Sequence, residues 1–464
     1  MEQKIIFGAP GCGKTTKLME ILEKELKENE PDKIAYVSFT RKGTYEGVYR
    51  AQNLFAYHEN DLPFFRTLHS IAFRTGGYSK YDMISKKDYK AFSDAMGMKF
   101  TGYYTEEFYH NDDQYLFLDF LLRNNREIAN TYLEHMNTTK LKNVIHNYRR
   151  FKEYEKISDF TDILQTFVER NEPLPVDIAI IDEAQDLTTL QWKMCEIAFR
   201  NCKRIYIAGD DDQAIYEWSG ADVNHFLALE GERLILDKSY RLQKKILEVS
   251  KNISAQITNR VEKNFEPIAD EGNIQYYNSL DEIELDENAS YYFLSRNNWF
   301  LSKHREYLRN KAQVFYDKEK LSYYPKDIEA INIFEHIRKT RQMSDIEELK
   351  LKKYLKPNVN MQLPWFDNFN LPNDDISYYR DLIKYKTNLK DIKITVSTIH
   401  GVKGGEADNV VLMLDFTAAV KNSFERNPDS ELRCLYVACT RAKKNLLIVH
   451  SNSKNGYDNY VRIE

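Results

Sequence analysis

The stretch Gly8-Ala-Pro-Gly-Cys-Gly-Lys-Thr15 limits what this chain can fold into more than any other. It is a glycine-rich turn of the form GxxxxGKT, preceded by a short apolar run, Lys4-Ile-Ile-Phe7, and followed by a segment with Leu18, Leu22 and Leu26 on one helical face. Strand, turn and helix in that order make a phosphate loop. Backbone N–H groups and the helix N-terminus hold phosphate anions, Lys14 reaches the outer phosphates and Thr15 ligates magnesium. Gly8, Ala9, Pro10, Gly11, Cys12, Gly13, Lys14, Thr15 and Thr16 are the candidate nucleotide contacts. The expected fold class is α/β with a parallel sheet.

A second strand run, Lys33-Ile-Ala-Tyr-Val-Ser-Phe39, leads into Thr40-Arg-Lys42, and a third, Val176-Asp-Ile-Ala-Ile-Ile181, ends in Asp182-Glu-Ala-Gln185. A carboxylate at the C-terminal end of a buried strand beside a phosphate loop is where a magnesium ligand belongs. Asp182 is thus expected to bind the metal and Glu183 to take the proton from an attacking water. The competing reading of these acids is a solvated helix start. A fourth run, Arg204-Ile-Tyr-Ile-Ala208, precedes Gly209-Asp-Asp-Asp-Gln-Ala-Ile-Tyr-Glu-Trp-Ser-Gly-Ala-Asp222. That sequence suits a loop with two tasks, phosphate chemistry at its acidic start and base stacking at Tyr216 and Trp218.

A chain of 464 residues is expected to form two to four domains. The pattern divides into one core at 1–73 and 156–238, interrupted by a tyrosine-rich, mainly helical insertion at 74–155. A second core spans 239–316 and 391–464, with strand runs at 290–294, 392–396, 409–414 and 445–449, and is interrupted by a shorter insertion at 317–390. Hydrophobic residues at 42% and charged residues at 30% are globular values. The N-terminus shows no secretory pattern and no apolar run approaches the roughly 20 residues that span a bilayer, so a soluble, cytoplasmic protein is expected. Cys12, Cys195, Cys202, Cys434 and Cys439 lack the spacing of a zinc site. The net charge of −5 excludes a general polycation but leaves room for a locally basic nucleic-acid groove.

Taken in order, these segments resemble the UvrD/Rep/PcrA-type superfamily 1 helicases. "GAPGCGKTT" is similar to motif I, "VSFTRKGTYE" to Ia, "RTLHSIA" to Ib, "IIDEAQD" to II and the 209–222 loop to III. "LDKSYR" is similar to motif IV, "VSTIHGVKGGEADNVVLM" to V and "LRCLYVACTRAKKNLLIV" to VI, while "ISDFTDIL" at 157–164 resembles the segment that closes subdomain 1B. The resemblance implies two RecA-like domains, 1A and 2A, each carrying an inserted subdomain, with ATP and Mg2+ between them and single-stranded DNA across their top.

It also implies residue roles. Gln213 senses the γ-phosphate, and Arg241 and Arg441 act as arginine fingers from the second domain. Tyr240 stacks on adenine and Glu406 lies near the ribose. Phe39, Thr40, Thr67, His69, Tyr216, Trp218, Thr398 and His400 face DNA. Core packing is the competing reading for Trp218, and internal hydrogen bonding for the two histidines. With seven residues ahead of Gly8, Gln3 stands as the candidate adenine reader; Ser219 occupies a position where arginine is usual. After the last strand, Asn455-Gly456 suggests a tight hairpin, and the resemblance implies that an aromatic there, Tyr457, meets a duplex junction; a plain surface turn is the competing reading. The implied activity is an ATP-dependent 3′ to 5′ DNA helicase or translocase, with single-stranded DNA, duplex junctions and replication or repair proteins as partners. A translocase that strips proteins from DNA, and a DNA-binding ATP switch that recruits a partner, are the alternatives.

Overall fold

The computed structural model describes residues 2–39, 41–104, 111–133, 136–268 and 270–463. The chain forms two compact units. The first comprises Met1–Leu242, Ser254–Ala269 and Pro428–Arg433; the second comprises Gln243–Ile253, Asp270–Asn427 and Cys434–Glu464.

The first unit is built on five strands, β1 (Glu2–Gly8), β2 (Ile34–Ser38), β3 (Ile178–Asp182), β4 (Arg204–Gly209) and β5 (Glu232–Leu236), in the order β2-β3-β4-β1-β5. All neighbours pair in parallel. Because side chains alternate along a strand, each of β1 to β4 feeds two cores. Phe7, Val37, Ile181 and Ile207 enter one, while Ile6, Tyr36, Ile180 and Ala208 enter the other. Burial on both faces explains why these strands read as continuous apolar runs. Helices α1 (Lys14–Glu28), α2 (Arg41–Phe55) and α3 (Leu68–Thr75) follow β1 and β2. The insertion is helical as expected, with α4 (Lys86–Met96), α5 (Asp113–Asn124), α6 (Arg126–Leu133) and α7 (Thr138–Glu155) around their own core of Phe92, Leu116, Leu121, Val144 and Tyr148. α8 (Phe160–Arg170) returns the chain to the sheet.

The second unit holds a seven-stranded sheet: β6 (Asn273–Tyr277), β7 (Tyr291–Ser295), β8 (Tyr316–Asp317), β9 (Lys320–Leu321), β10 (Ile394–Thr398), β11 (Ala407–Met413) and β12 (Ala442–Val449), in the order β6-β12-β11-β7-β10-β8-β9. Only the small β8–β9 hairpin is antiparallel among the described pairs. The 317–390 region carries four helices, beginning with Pro325–Thr340, on a separate core that includes Phe334, Trp365, Phe369 and Tyr379. No described helix is long and apolar enough to cross a membrane. All five cysteines are buried.

The end of the chain departs from expectation. Gly456 has φ −160, an extended conformation, and forms an isolated antiparallel bridge with Asp415 rather than a tight hairpin. Tyr457 is fully buried, its ring 5.2 Å from Phe416 and 6.4 Å from Phe424, and its N–H donates to the Leu414 carbonyl. The aromatic surface of this residue completes a core, so it is not presented to a duplex. Tyr457→Ala should destabilise the protein by about 3–5 kcal/mol, the usual cost of emptying a large aromatic site. Chemical denaturation checks this; an unchanged midpoint contradicts the packing role.

Candidate nucleotide and strand site

Parallel strands deliver their C-terminal ends to one edge of a sheet. In the first unit β3, β4 and β1 are neighbours, so the acidic turn at Asp182, the loop at 209–222 and the phosphate loop emerge side by side. The phosphate loop needs its glycines: Gly11 (φ 71) and Gly13 (φ 82) both take left-handed backbone, and Gly13 caps α1. A Cβ on Gly11 would come within 2.3 Å of the Arg241 Cβ. Thr15 lies in the first turn of α1, with Thr16 exposed beside it.

Lys14 donates to the carbonyls of Gly8 (2.6 Å) and Ala9 (3.3 Å). Burial works against its charge, but the Cys12 thiol and the carboxylates of Asp210, Glu183 and Asp182 outweigh that and hold its pKa above the usual value. Asp182 shows the opposite balance. Burial, reinforced by Glu183, pushes its carboxyl up to about 7, although it accepts from the Glu183 N–H (2.9 Å) and the Tyr36 hydroxyl (3.3 Å). A buried carboxylate whose charge is this unfavourable fits a place where a cation binds with the triphosphate. Glu183 has left-handed backbone (φ 54), which costs a non-glycine residue on the order of 1–3 kcal/mol. Its carboxylate accepts from Gln185 (2.6 Å), and Gln185 in turn accepts from the Asp210 N–H (3.0 Å). One buried glutamine therefore joins the β3 and β4 turns. Gly209 lies against it, where a Cβ would meet the Gln185 Oε1 at 2.6 Å.

The 209–222 loop corrects one expectation and extends another. Asp211 and Asp212 are wholly buried and paired with basic side chains from the 254–269 stretch, so they are structural anions and not open phosphate chemistry. Gln213 donates to Asp210 at 2.6 Å. Tyr216 stacks with Phe39 at 5.5 Å between ring centres, bringing two of the predicted strand contacts together. Trp218 is half-buried and packs at 6.1 Å on Phe117 of α5, at the margin of the insertion's core. Thr67 caps α3 by accepting from the Ser70 N–H, and His69 meets Phe160 edge-on at 5.7 Å. Burial lowers the His69 pKa to about 4, so the ring is neutral. Thr40 lies outside the described residues.

Ser239, Tyr240 and Arg241 belong to the first unit, where the sequence assigned them to the second domain. The Ser239 hydroxyl donates to the Pro10 carbonyl (3.0 Å) and the Tyr240 N–H to the Gly11 carbonyl (2.8 Å). Tyr240 is 68% exposed, which leaves its ring open beside the phosphate loop. Gln3 fails as an adenine reader: it sits at the opposite end of β1 and donates to the Glu230 carbonyl at 2.7 Å.

In the second unit Thr398 ends β10, and His400 Nε2 faces the Cys434 thiol at 3.6 Å. Glu406 is exposed near Lys443 at 3.7 Å. Arg441 is buried, donating to the carbonyls of Val437 (3.0 Å) and Gly405 (3.2 Å). The residues around this turn that sequence reasoning missed are Gln185, Arg260, Lys263 and Arg433. The repeated acid at 210–212 was the signal that buried cations were needed.

Residues 2–233, half of the chain, match the UvrD/REP helicase N-terminal domain, and residues 393–449 match the UvrD-like helicase C-terminal domain. The ATP-dependent DNA helicase PcrA of Staphylococcus epidermidis is 24% identical over 60% of this chain, and the match spans 41% of that protein's length. The probable DNA helicase II homolog of Rickettsia conorii is 23% identical over 99% of this chain and 92% of its own length. DNA helicase II of Haemophilus influenzae is 24% identical over 60% of this chain and 42% of its own.

Gly11→Ala should lower affinity for a fluorescent ATP analogue by about tenfold or more, because it adds left-handed strain to a backbone clash. Titration of the folded variant reads this directly; unchanged affinity contradicts the placement of the loop.

Proposed function

Because the chain belongs to the UvrD/Rep helicase family, we propose that it is an ATP-driven motor that moves 3′ to 5′ on single-stranded DNA and couples hydrolysis to duplex unwinding. The observation that carries this reading is the single sheet edge at which the phosphate loop, Asp182, Glu183 and the Gln213–Tyr216 loop emerge together. Lys14 and the N–H groups of α1 hold the triphosphate, Thr15 and Asp182 hold Mg2+, and Tyr240 covers the base. The bound Mg2+ supplies charge neutralisation for phosphoryl transfer. Glu183 takes the proton of the attacking water, its carboxylate oriented by Gln185. Gln213 reports the outer phosphate. Arg241 and Arg441 keep the charge-stabilising roles implied by the resemblance. Phe39 and Tyr216 offer a stacking platform that accepts any base, with base–aromatic stacking worth about 1–3 kcal/mol per base.

A translocase that clears bound proteins with little unwinding is the second reading. The compact 317–390 insertion, with a core of its own, favours it.

Duplexes with a 3′ or a 5′ single-stranded tail distinguish these readings. Unwinding of the 3′-tailed duplex alone is the expected result; 5′ preference contradicts the polarity, and stripping of a bound protein without unwinding selects the second reading. Glu183→Gln should retain ATP binding while losing turnover by about 100-fold, the usual contribution of a general base. Near-normal turnover in that variant removes Glu183 from the role.

A further inference from the structure

The turn after β4 places three consecutive aspartates, Asp210, Asp211 and Asp212, where water does not reach them. Their partners come from stretches distant in sequence. The Lys263 ammonium, itself fully buried, lies 2.5 Å from Asp211, 3.0 Å from Asp212 and 3.3 Å from Asp210. Arg260 grips Asp212 in bidentate fashion at 2.8 and 2.7 Å. The Val261 N–H donates to the other Asp211 oxygen at 2.8 Å. Arg433 closes the arrangement, donating to the Asp211 carbonyl (2.9 Å), the Asn259 carbonyl (2.7 Å) and the Glu217 carboxylate (3.2 Å).

Burying this many charges costs desolvation that their mutual attraction offsets only in part, and apolar residues of similar size serve stability as well or better. What ion pairs of fixed geometry do offer is one defined backbone path. Here that path carries Gln213 at one end and Tyr216 at the other. Gln213 is tied to Asp210 of the same cluster, and Tyr216 follows within the turn that Arg433 braces through Asp211 and Glu217.

We propose that Arg260 and Lys263 are positioning residues: by clamping Asp211 and Asp212 they make the loop from Gln213 to Tyr216 one rigid body, so that a change at the nucleotide is transmitted to the strand-stacking aromatics. The described ion pairs of both residues are with the aspartate run. The proposal rests on the ATP-driven motor reading given above.

The test compares wild type with Arg260→Gln, whose side chain is partly accessible, with Lys263→Met, and with the charge-retaining Arg260→Lys. Arg260→Gln should lower strand-stimulated kcat by about tenfold, a common size for a coupling effect, with the ATP KM little changed. The ratio of single-stranded DNA Kd values with and without a non-hydrolysable ATP analogue should move toward one. Arg260→Lys should recover most of both. Lys263→Met should act in the same direction wherever it folds.

Hydrogen exchange of the nucleotide-free protein supplies a readout independent of catalysis. Amides at 210–217 should exchange faster in Arg260→Gln while β3 stays protected. Equal loss of basal and stimulated turnover with general loss of protection overturns the proposal, as does wild-type behaviour in every readout. A wild-type protein whose turnover ignores DNA sinks the motor reading instead, and the exchange pattern at 210–217 then still decides whether these residues position the loop.

Discussion

In a parallel sheet every strand ends on the same side, and in the first unit three adjacent strands end in groups that carry or bind charge. β1 ends in the phosphate loop, β3 in Asp182 and Glu183, and β4 in the aspartate run. The register leaves little freedom: Phe7 pairs with Gly209, and Ile181 with Ile207. The chemistry therefore depends on a hydrophobic matter, the two cores that clamp the sheet from both faces.

Electrostatics then divides the labour between two kinds of buried charge. Around the phosphate loop, burial and Glu183 make the Asp182 charge unfavourable, while the Lys14 charge is favoured by the carboxylates of Asp210, Glu183 and Asp182. The Asp211, Asp212, Arg260 and Lys263 group is balanced by its own members. Gln185 and Asp210 lie between the two, linking the Glu183 carboxylate to the start of the β4 loop. The Glu183 turn and the aspartate run thus share one hydrogen-bonded edge.

Much of this was legible in the sequence because it is local. The phosphate loop, the strand ending in Asp182 and the helical insertion each carry a pattern that short-range physics enforces, and all appear where expected. What was not legible depends on partners far along the chain. Nothing in the sequence near 254–269 announces that Arg260 and Lys263 fold onto the β4 turn. The edge strands β5 and β6 are incompletely buried, and neither carries an apolar run along its whole length. Tyr457 misled because Asn-Gly is a strong turn signal by itself. Here the tertiary contacts with Phe416 and Phe424 set both the backbone path and the burial.

In the proposed ATP-driven motor, nucleotide and strand are read by one loop. The most direct measurement is steady-state ATP turnover of the wild-type chain with no nucleic acid, with single-stranded DNA and with single-stranded RNA. Low basal turnover that rises steeply and saturably with single-stranded DNA is the expected result. Turnover that is the same with and without any strand contradicts it.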